Sequence, residues 1–207
     1  MQQSGKAYAI ADALIPRINA RANAIIDAVL VVGFAALTGL AAQVAVYLNP
    51  AVPITGQTFT VLLAGAVLGS KRGAASMLVY LGTGLAGVPV FAPSGAISGI
   101  SRGYLLGFVA AAFIVGLLVE RGWGRNPLKL AAAMLAGEVA IYAFGLPWLA
   151  FYVPDSAIAG TTLLAVVYDW GLRDFIVGDT IKLVMAAAGV PLAWEGIRRL
   201  KRAAPED

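Results

Sequence analysis

The chain has no cysteine and no histidine. The first absence excludes disulfides and thiolate chemistry. The second removes the commonest metal ligand and the usual proton shuttle. Charge is scarce as well: 13% of the 207 residues are charged, against about 25% in an average soluble domain. No glycine-rich phosphate loop ending in Lys-Ser or Lys-Thr is present, so the chain carries no ATPase of its own. What it has instead is apolar surface, 60% hydrophobic residues and a mean hydropathy of +0.83. Lipid, not water, is the solvent for such a chain. The expected class is an all-α integral membrane protein.

Six apolar runs are readable, at residues 24–48, 59–68, 74–90, 103–119, 130–153 and 172–195. The second is too short to span alone and needs residues 55–58 to reach bilayer length. Residues 1–22 are mixed and charged, with no clean apolar block, and read as a cytoplasmic tail with a short amphipathic helix rather than a cleaved signal peptide. Residues 23–197 form the six-helix membrane domain, and 198–207 a basic tail. With both termini in the cytoplasm, the inner segments take Lys6, Arg17, Arg21, Lys71, Arg72, Arg121, Arg125, Lys129, Arg198, Arg199, Lys201 and Arg202. That bias matches the positive-inside rule. Arg102, Arg173 and Lys182 remain toward the outer half, where topology does not require them. An outward-facing site for a small ligand with an anionic group is the economical inference.

One stretch organises the rest. In Gly178-Asp179-Thr180-Ile181-Lys182 an acid and a base stand three residues apart inside an apolar run, on one helix face. Such a pair is expensive in lipid and is kept where it faces a polar cavity or a partner. It is either the centre of a binding site or a neutralised pair that pins two helices. Glu138, mid-run, is a second ionisable group; it either hydrogen-bonds between helices in its protonated form or helps to line the site. Thr55, Gln57 and Thr58 lie at the mouth of the second run and supply uncharged hydrogen-bonding groups. Residues 91–103 read as a flexible, lid-like loop rich in glycine and serine. In the first run Ala35 and Gly39, and Ala41 and Ala45, are four apart, a spacing that serves internal packing or a docking face for another subunit.

Catalysis is poorly provided for. Asp174 and Asp179 are five apart and point from different helix faces, and the loop serines Ser94, Ser98 and Ser101 have no base fixed nearby in sequence. The residues favour a substrate-binding membrane protein for uptake that draws on an outside energy source.

Pro53-Ile54-Thr55-Gly56-Gln57-Thr58, Leu68-Gly69-Ser70-Lys71-Arg72-Gly73, Tyr80-Leu81-Gly82, Gly87-Val88-Pro89-Val90-Phe91-Ala92, Gly103-Tyr104-Leu105-Leu106-Gly107-Phe108 and Gly178-Asp179-Thr180-Ile181-Lys182 occur in that order. Together they resemble the BioY family, the biotin-specific S components of energy-coupling factor transporters. The resemblance covers roughly residues 24–192. It implies a six-helix S-component fold in the bacterial inner membrane, with biotin as transported ligand and no cofactor or metal. It implies a transmembrane coupling subunit and two cytosolic ATPases as partners, with homo-oligomerisation left open and nucleic acid not involved. On that resemblance Asp179 and Lys182 face the ureido ring, with Thr55, Gln57, Tyr80 and Tyr104 as further contacts and Phe91 against the thioether ring. Helix 1, through Ala35, Gly39, Ala41 and Ala45, becomes the docking surface for the coupling subunit. Ile100-Ser101-Arg102-Gly103-Tyr104 stands where the family usually reads Pro-Thr-Gly-Gly-Tyr, which makes Arg102 a candidate carboxylate clamp. An S component for another vitamin and an intramembrane lipid-modifying enzyme are the alternatives.

Overall fold

The computed structural model describes residues 9–15, 18–93 and 99–203. Parts of the expected N-terminal tail, of the loop at 91–103 (including Ser94 and Ser98) and of the C-terminal tail lie outside the described residues.

The chain is helical almost throughout. A short α1 (Ile10–Leu14) precedes α2 (Ala20–Gln43), whose Asn19 cap accepts from the Ala22 N–H at 2.9 Å. A two-stranded hairpin follows, β1 (Ala45–Val46) antiparallel to β2 (Ile54–Thr55), with Ala45 opposite Thr55. The first apolar run was expected to stay helical to residue 48, but the helix stops at Gln43 because β1 and β2 pair across the turn. Within that turn Asn49 Oδ1 accepts from the N–H groups of Ala51 at 3.0 Å and Val52 at 2.9 Å. Next come α3 (Gln57–Leu68), α4 (Ser70–Leu85), α5 (Arg102–Glu120) and α6 (Pro127–Tyr152). Asn126 caps α6 and Pro127 opens it, the usual place for proline in a helix.

The basic stretch at 69–73 was expected to be a turn. One residue does the turning: Gly69 at φ +85° links α3 to α4, and Lys71 and Arg72 already belong to α4. Glu120 holds the start of α4, accepting from the Ser70 N–H at 2.7 Å. Pro147 was expected to interrupt the fifth run; α6 runs through it. Its missing N–H costs one helical hydrogen bond, which neighbouring helices tolerate in apolar surroundings.

The connecting segment expected up to Trp170 is also largely helical. After α7 (Asp155–Ile158), α8 (Leu163–Tyr168) passes through a π segment (Asp169–Arg173) into α9 (Asp174–Ala203). The wider π turn leaves carbonyls available to outside donors. Trp170 O accepts from Asn49 Nδ2 at 3.2 Å, and Gly171 O accepts from Tyr104 Oη at 3.0 Å.

Among the described residues four helices are long and apolar enough to cross a membrane: Ala20–Gln43, Arg102–Glu120, Pro127–Tyr152 and the joined run Leu163–Gly196. The helix α3, with 12 residues, is about 18 Å long, well short of a bilayer core. It is buried along most of its length, so protein rather than lipid surrounds its ends. Close packing of α5 on α6 depends on Gly107, where a Cβ would lie 2.7 Å from the Ile141 Cα.

On α2 the buried stripe is Ala35, Thr38, Gly39 and Ala42. Its small residues admit the chain's own segments: a Cβ on Gly39 would lie 3.2 Å from Val90 Cβ. Ala41 O accepts the Gly56 N–H at 3.2 Å, and Ala45 sits in β1. Ala35 and Gly39 are thus packed inside the chain, while Ala41 and Ala45 stay half-buried beside the hairpin. The opposite face of α2, with Val29, Val32 and Leu40, is exposed.

Toward the end of the molecule where α3 meets α4, Arg72 ties three elements together, at 2.8 Å to Asp12 of α1 and 3.0 Å to Asp27 of α2. In the stretch expected to hold a short amphipathic helix, α1 is a single turn with Ile10 and Ala11 buried.

Candidate functional site

The site forms where the β-hairpin, the start of α3, and helices α5, α6 and α9 converge. Helical spacing brings Asp179 and Lys182 onto one face, and Lys182 Nζ lies 3.1 Å from Asp179 Oδ1. Asp179 is 6% exposed. Both side chains are held by more than each other. Lys182 also donates to Thr55 O at 2.7 Å and to Thr58 Oγ1 at 3.0 Å. Thr58 Oγ1 donates to Asp179 Oδ1 at 3.1 Å, and Tyr142 of α6 donates its hydroxyl to Asp179 Oδ2. The three ammonium hydrogens are thus all engaged, while the carboxylate still has acceptor capacity.

A cavity of about 40 Å³ lies directly beside the pair, walled by Val52, Tyr104, Phe108, Tyr142 and Phe175. The pair is therefore not sealed off. A larger cavity of about 130 Å³ lies beyond it, lined by Val52, Gln57, Phe91, Arg102, Tyr104 and Phe108 among others. Val52, Tyr104 and Phe108 belong to both walls. These three side chains thus stand between a space lined by the Arg102 side chain and a space lined by the acid–base pair.

The structure brings all eight expected site residues to these two spaces or to their supports. Asp179, Lys182, Thr55 and Tyr104 line the smaller space, and Gln57, Phe91, Arg102 and Tyr104 the larger one. Tyr80 stands behind, 1% exposed, accepting from Gln57 Nε2 at 2.6 Å and meeting Phe91 edge-on with ring centroids 5.4 Å apart. Gln57 Oε1 in turn accepts from Thr55 Oγ1 at 2.9 Å, so Tyr80, Gln57 and Thr55 form a fixed chain of hydrogen bonds. Tyr104 is pinned at its hydroxyl by Gly171 O and stacks near Phe175 at 6.4 Å.

Tyr142, Phe108, Phe175 and Asn49 were not among the expected site residues, whereas Thr58 was read as a hydrogen-bonding group at the mouth of the second run. Tyr142 had a faint signal, since it follows Glu138 by four positions and shares its helix face. Asn49 had none: its link to Asp174 Oδ2 at 3.1 Å spans more than a hundred residues. The interhelical hydrogen bond foreseen as one role for Glu138 is not formed among the described residues, where both its carboxyl oxygens are buried without a partner. Among the described residues no cluster of acidic side chains offers a metal site.

A family model described as the BioY family matches residues 14–199. A probable biotin transporter BioY of Pyrococcus horikoshii is 38% identical over 161 residues, 76% of this chain and 89% of that protein. The biotin transporter BioY of Rhizobium etli is 37% identical over 177 residues, 78% of this chain and 89% of that one. A shorter match, 40% over 124 residues, covers 58% of this chain and 63% of a probable biotin transporter BioY of Lysinibacillus sphaericus. Among solved structures, the S-component for biotin from an ECF-type ABC transporter superposes with a TM-score of 0.68. It covers 91% of this chain and 96% of its own, at 22% identity, which speaks for the fold.

Proposed function

The chain belongs to the BioY family, and from that premise we propose that it captures biotin at the outer face of a bacterial cytoplasmic membrane and delivers it inward as the substrate-specific component of an energy-coupling factor importer. The observation that carries the reading is the polarity of the two adjoining spaces. A monocarboxylate with a cyclic urea at its far end needs a cation at one end and a donor–acceptor pair at the other. Arg102 lines one cavity and the Asp179–Lys182 pair the adjoining one, with Tyr104 and Phe108 in the wall of both.

In this reading the Arg102 guanidinium pairs with the valerate carboxylate. Asp179, oriented by Tyr142, Thr58 and Lys182, accepts from a ureido N–H through its remaining lone pair. Lys182 exchanges one of its protein acceptors for the ureido carbonyl. Phe91, Phe108 and Phe175 pack on the thioether ring.

Topology follows from the same reading. Six helices, α2 to α6 and α9, cross or enter the bilayer, with residues 1–22 and 198–207 in the cytoplasm and 23–197 as the membrane domain. The short α3 is carried by its protein neighbours. The sequence carries no phosphate-loop motif, and in this reading a transmembrane coupling subunit and two cytosolic ATPases supply the energy. The α2 span, least buried of the four long spans at 17%, leaves an apolar face for the coupling subunit, with Val29, Val32 and Leu40. The reading is tested by equilibrium binding of labelled biotin to the detergent-purified chain alone. Saturable binding that unlabelled biotin displaces, and that other vitamins do not, is the expected result; its absence sinks the proposal.

A further inference from the structure

The amide of Asn49 is saturated. Its Oδ1 accepts from the N–H groups of Ala51 at 3.0 Å and Val52 at 2.9 Å. Its Nδ2 donates to Trp170 O at 3.2 Å and to Asp174 Oδ2 at 3.1 Å. Two accepted and two donated bonds are the whole capacity of a primary amide. The reversed amide would set Nδ2 against two N–H donors, so the network fixes its orientation. Aspartate lacks the donors, and glutamine carries its amide one carbon farther out. The accepted bonds serve the turn itself. The donated bonds leave the turn, and local folding does not require them.

Their purpose lies in what they join. Val52 is three residues from Asn49 and walls both cavities. Phe175 follows Asp174 and walls the cavity beside the Asp179–Lys182 pair. Tyr104, in the wall of both spaces, donates to Gly171 O, the carbonyl next to the one that Asn49 uses. Both carbonyls belong to the π segment, whose wider turn frees them. Gly171 seats that turn closely, since a Cβ there would lie 2.6 Å from Tyr104 Oη. The hairpin turn, α5 and the start of α9 therefore meet at one π turn. Farther along the hairpin, Lys182 holds the Thr55 carbonyl to α9. Asn49 is the second fastening, at the end that carries Val52. Its acceptor Asp174 is steadied in turn by Arg173, whose Nε lies 3.5 Å from Asp174 Oδ1.

We propose that Asn49 is a positioning residue for ligand binding. By fastening the hairpin turn to the start of α9, it sets the separation of Val52 from Phe175 and so the width of the space beside Asp179 and Lys182. The inference rests on the biotin-binding reading given above. Asn49 is in the wall of neither space and acts through Val52 and Phe175. Walls already in place spare the ligand the cost of ordering them, and a loosened wall shows as faster release.

The test exchanges the two partners. Asn49→Asp keeps the acceptor for Ala51 and Val52, loses both donated bonds and sets a carboxylate against Asp174. Asp174→Asn still offers Asn49 an acceptor. Joining the two substitutions restores a hydrogen bond between these positions with donor and acceptor exchanged. Labelled biotin on detergent-purified protein is the probe, read as affinity, number of sites and dissociation rate. Asn49→Asp should weaken binding at least about tenfold, through faster dissociation. Asp174→Asn should stay within about threefold of the unaltered chain, and the double variant should return to within about threefold. Unaltered affinity in Asn49→Asp overturns the proposal and leaves the biotin-binding reading standing. A fall in the number of sites with unchanged dissociation does the same, because that is the mark of a folding defect. A double variant that releases biotin as fast as Asn49→Asp also overturns it. If Asp174→Asn alone is as harmful as Asn49→Asp, the Asp174 charge and not the fastening is at work, and the proposal falls. Failure of the unaltered chain to bind biotin removes the site and its positioning residue together.

Discussion

Tyr142 on α6 donates its phenolic hydrogen to the carboxylate of Asp179 on α9. The contact fixes an acid from one helix with a donor from another, and it sets which Asp179 lone pairs face the cavity. Hydrogen bonds to a charged group are worth about 1.5–3 kcal/mol when lost. Tyr142→Phe keeps the ring that walls the cavity and removes only the donor. Biotin affinity should fall about tenfold, measured by calorimetry on purified protein, with no change in elution volume. Unaltered affinity would mean that Asp179 does not contact the ligand.

Asp179→Asn and Lys182→Ala cut deeper. Each leaves a buried partner unpaired, which costs about 3–5 kcal/mol in measured cases. Biotin binding should drop at least about a hundredfold in both. The lysine variant should also melt earlier, because Lys182 bridges α9 to the Thr55 carbonyl and to Thr58 of α3. If both variants bind like the unaltered chain, the pair is a helix clamp and no more.

Arg102 is separable from the pair by choice of ligand. In the proposed reading it meets the carboxylate and nothing else. Arg102→Ala should weaken biotin about tenfold, while leaving the uncharged amide of biotin within about twofold. Competition assays with both ligands read the difference. Equal loss for acid and amide would place Arg102 in the loop structure and not on the ligand.

Gly69 makes the tightest prediction about folding. Its φ of +85° is strained for any residue with a side chain, and a Cβ there would lie 2.5 Å from Glu120 Oε1. The same oxygen accepts from the Ser70 N–H that opens α4. Gly69→Ala should cost at least about 1–2 kcal/mol and lower the melting temperature in detergent, with bound biotin restoring part of it. An unchanged melting curve would show that the α3–α4 turn tolerates other geometries.

The sequence by itself determined the solvent, the helical class and the pairing of Asp179 with Lys182. Scarce charge and long apolar runs allow only lipid as surroundings, and a three-residue spacing on a helix is enough to join Asp179 to Lys182. Local periodicity decides both, so both are legible along the chain. Tertiary structure alone decided what surrounds that pair. Tyr142, Thr58 and the Thr55 carbonyl reach it from three other elements. The inward turn of Ala35 and Gly39 was likewise undecided until α2 met Val90. A small residue permits close approach on either side of a helix, and which neighbour makes the approach depends on packing between segments distant in sequence. The carboxyl of Glu138 belongs to the same class: a sequence shows that an acid sits in an apolar run, and only the assembled helices show that among the described residues no hydrogen-bond partner reaches it.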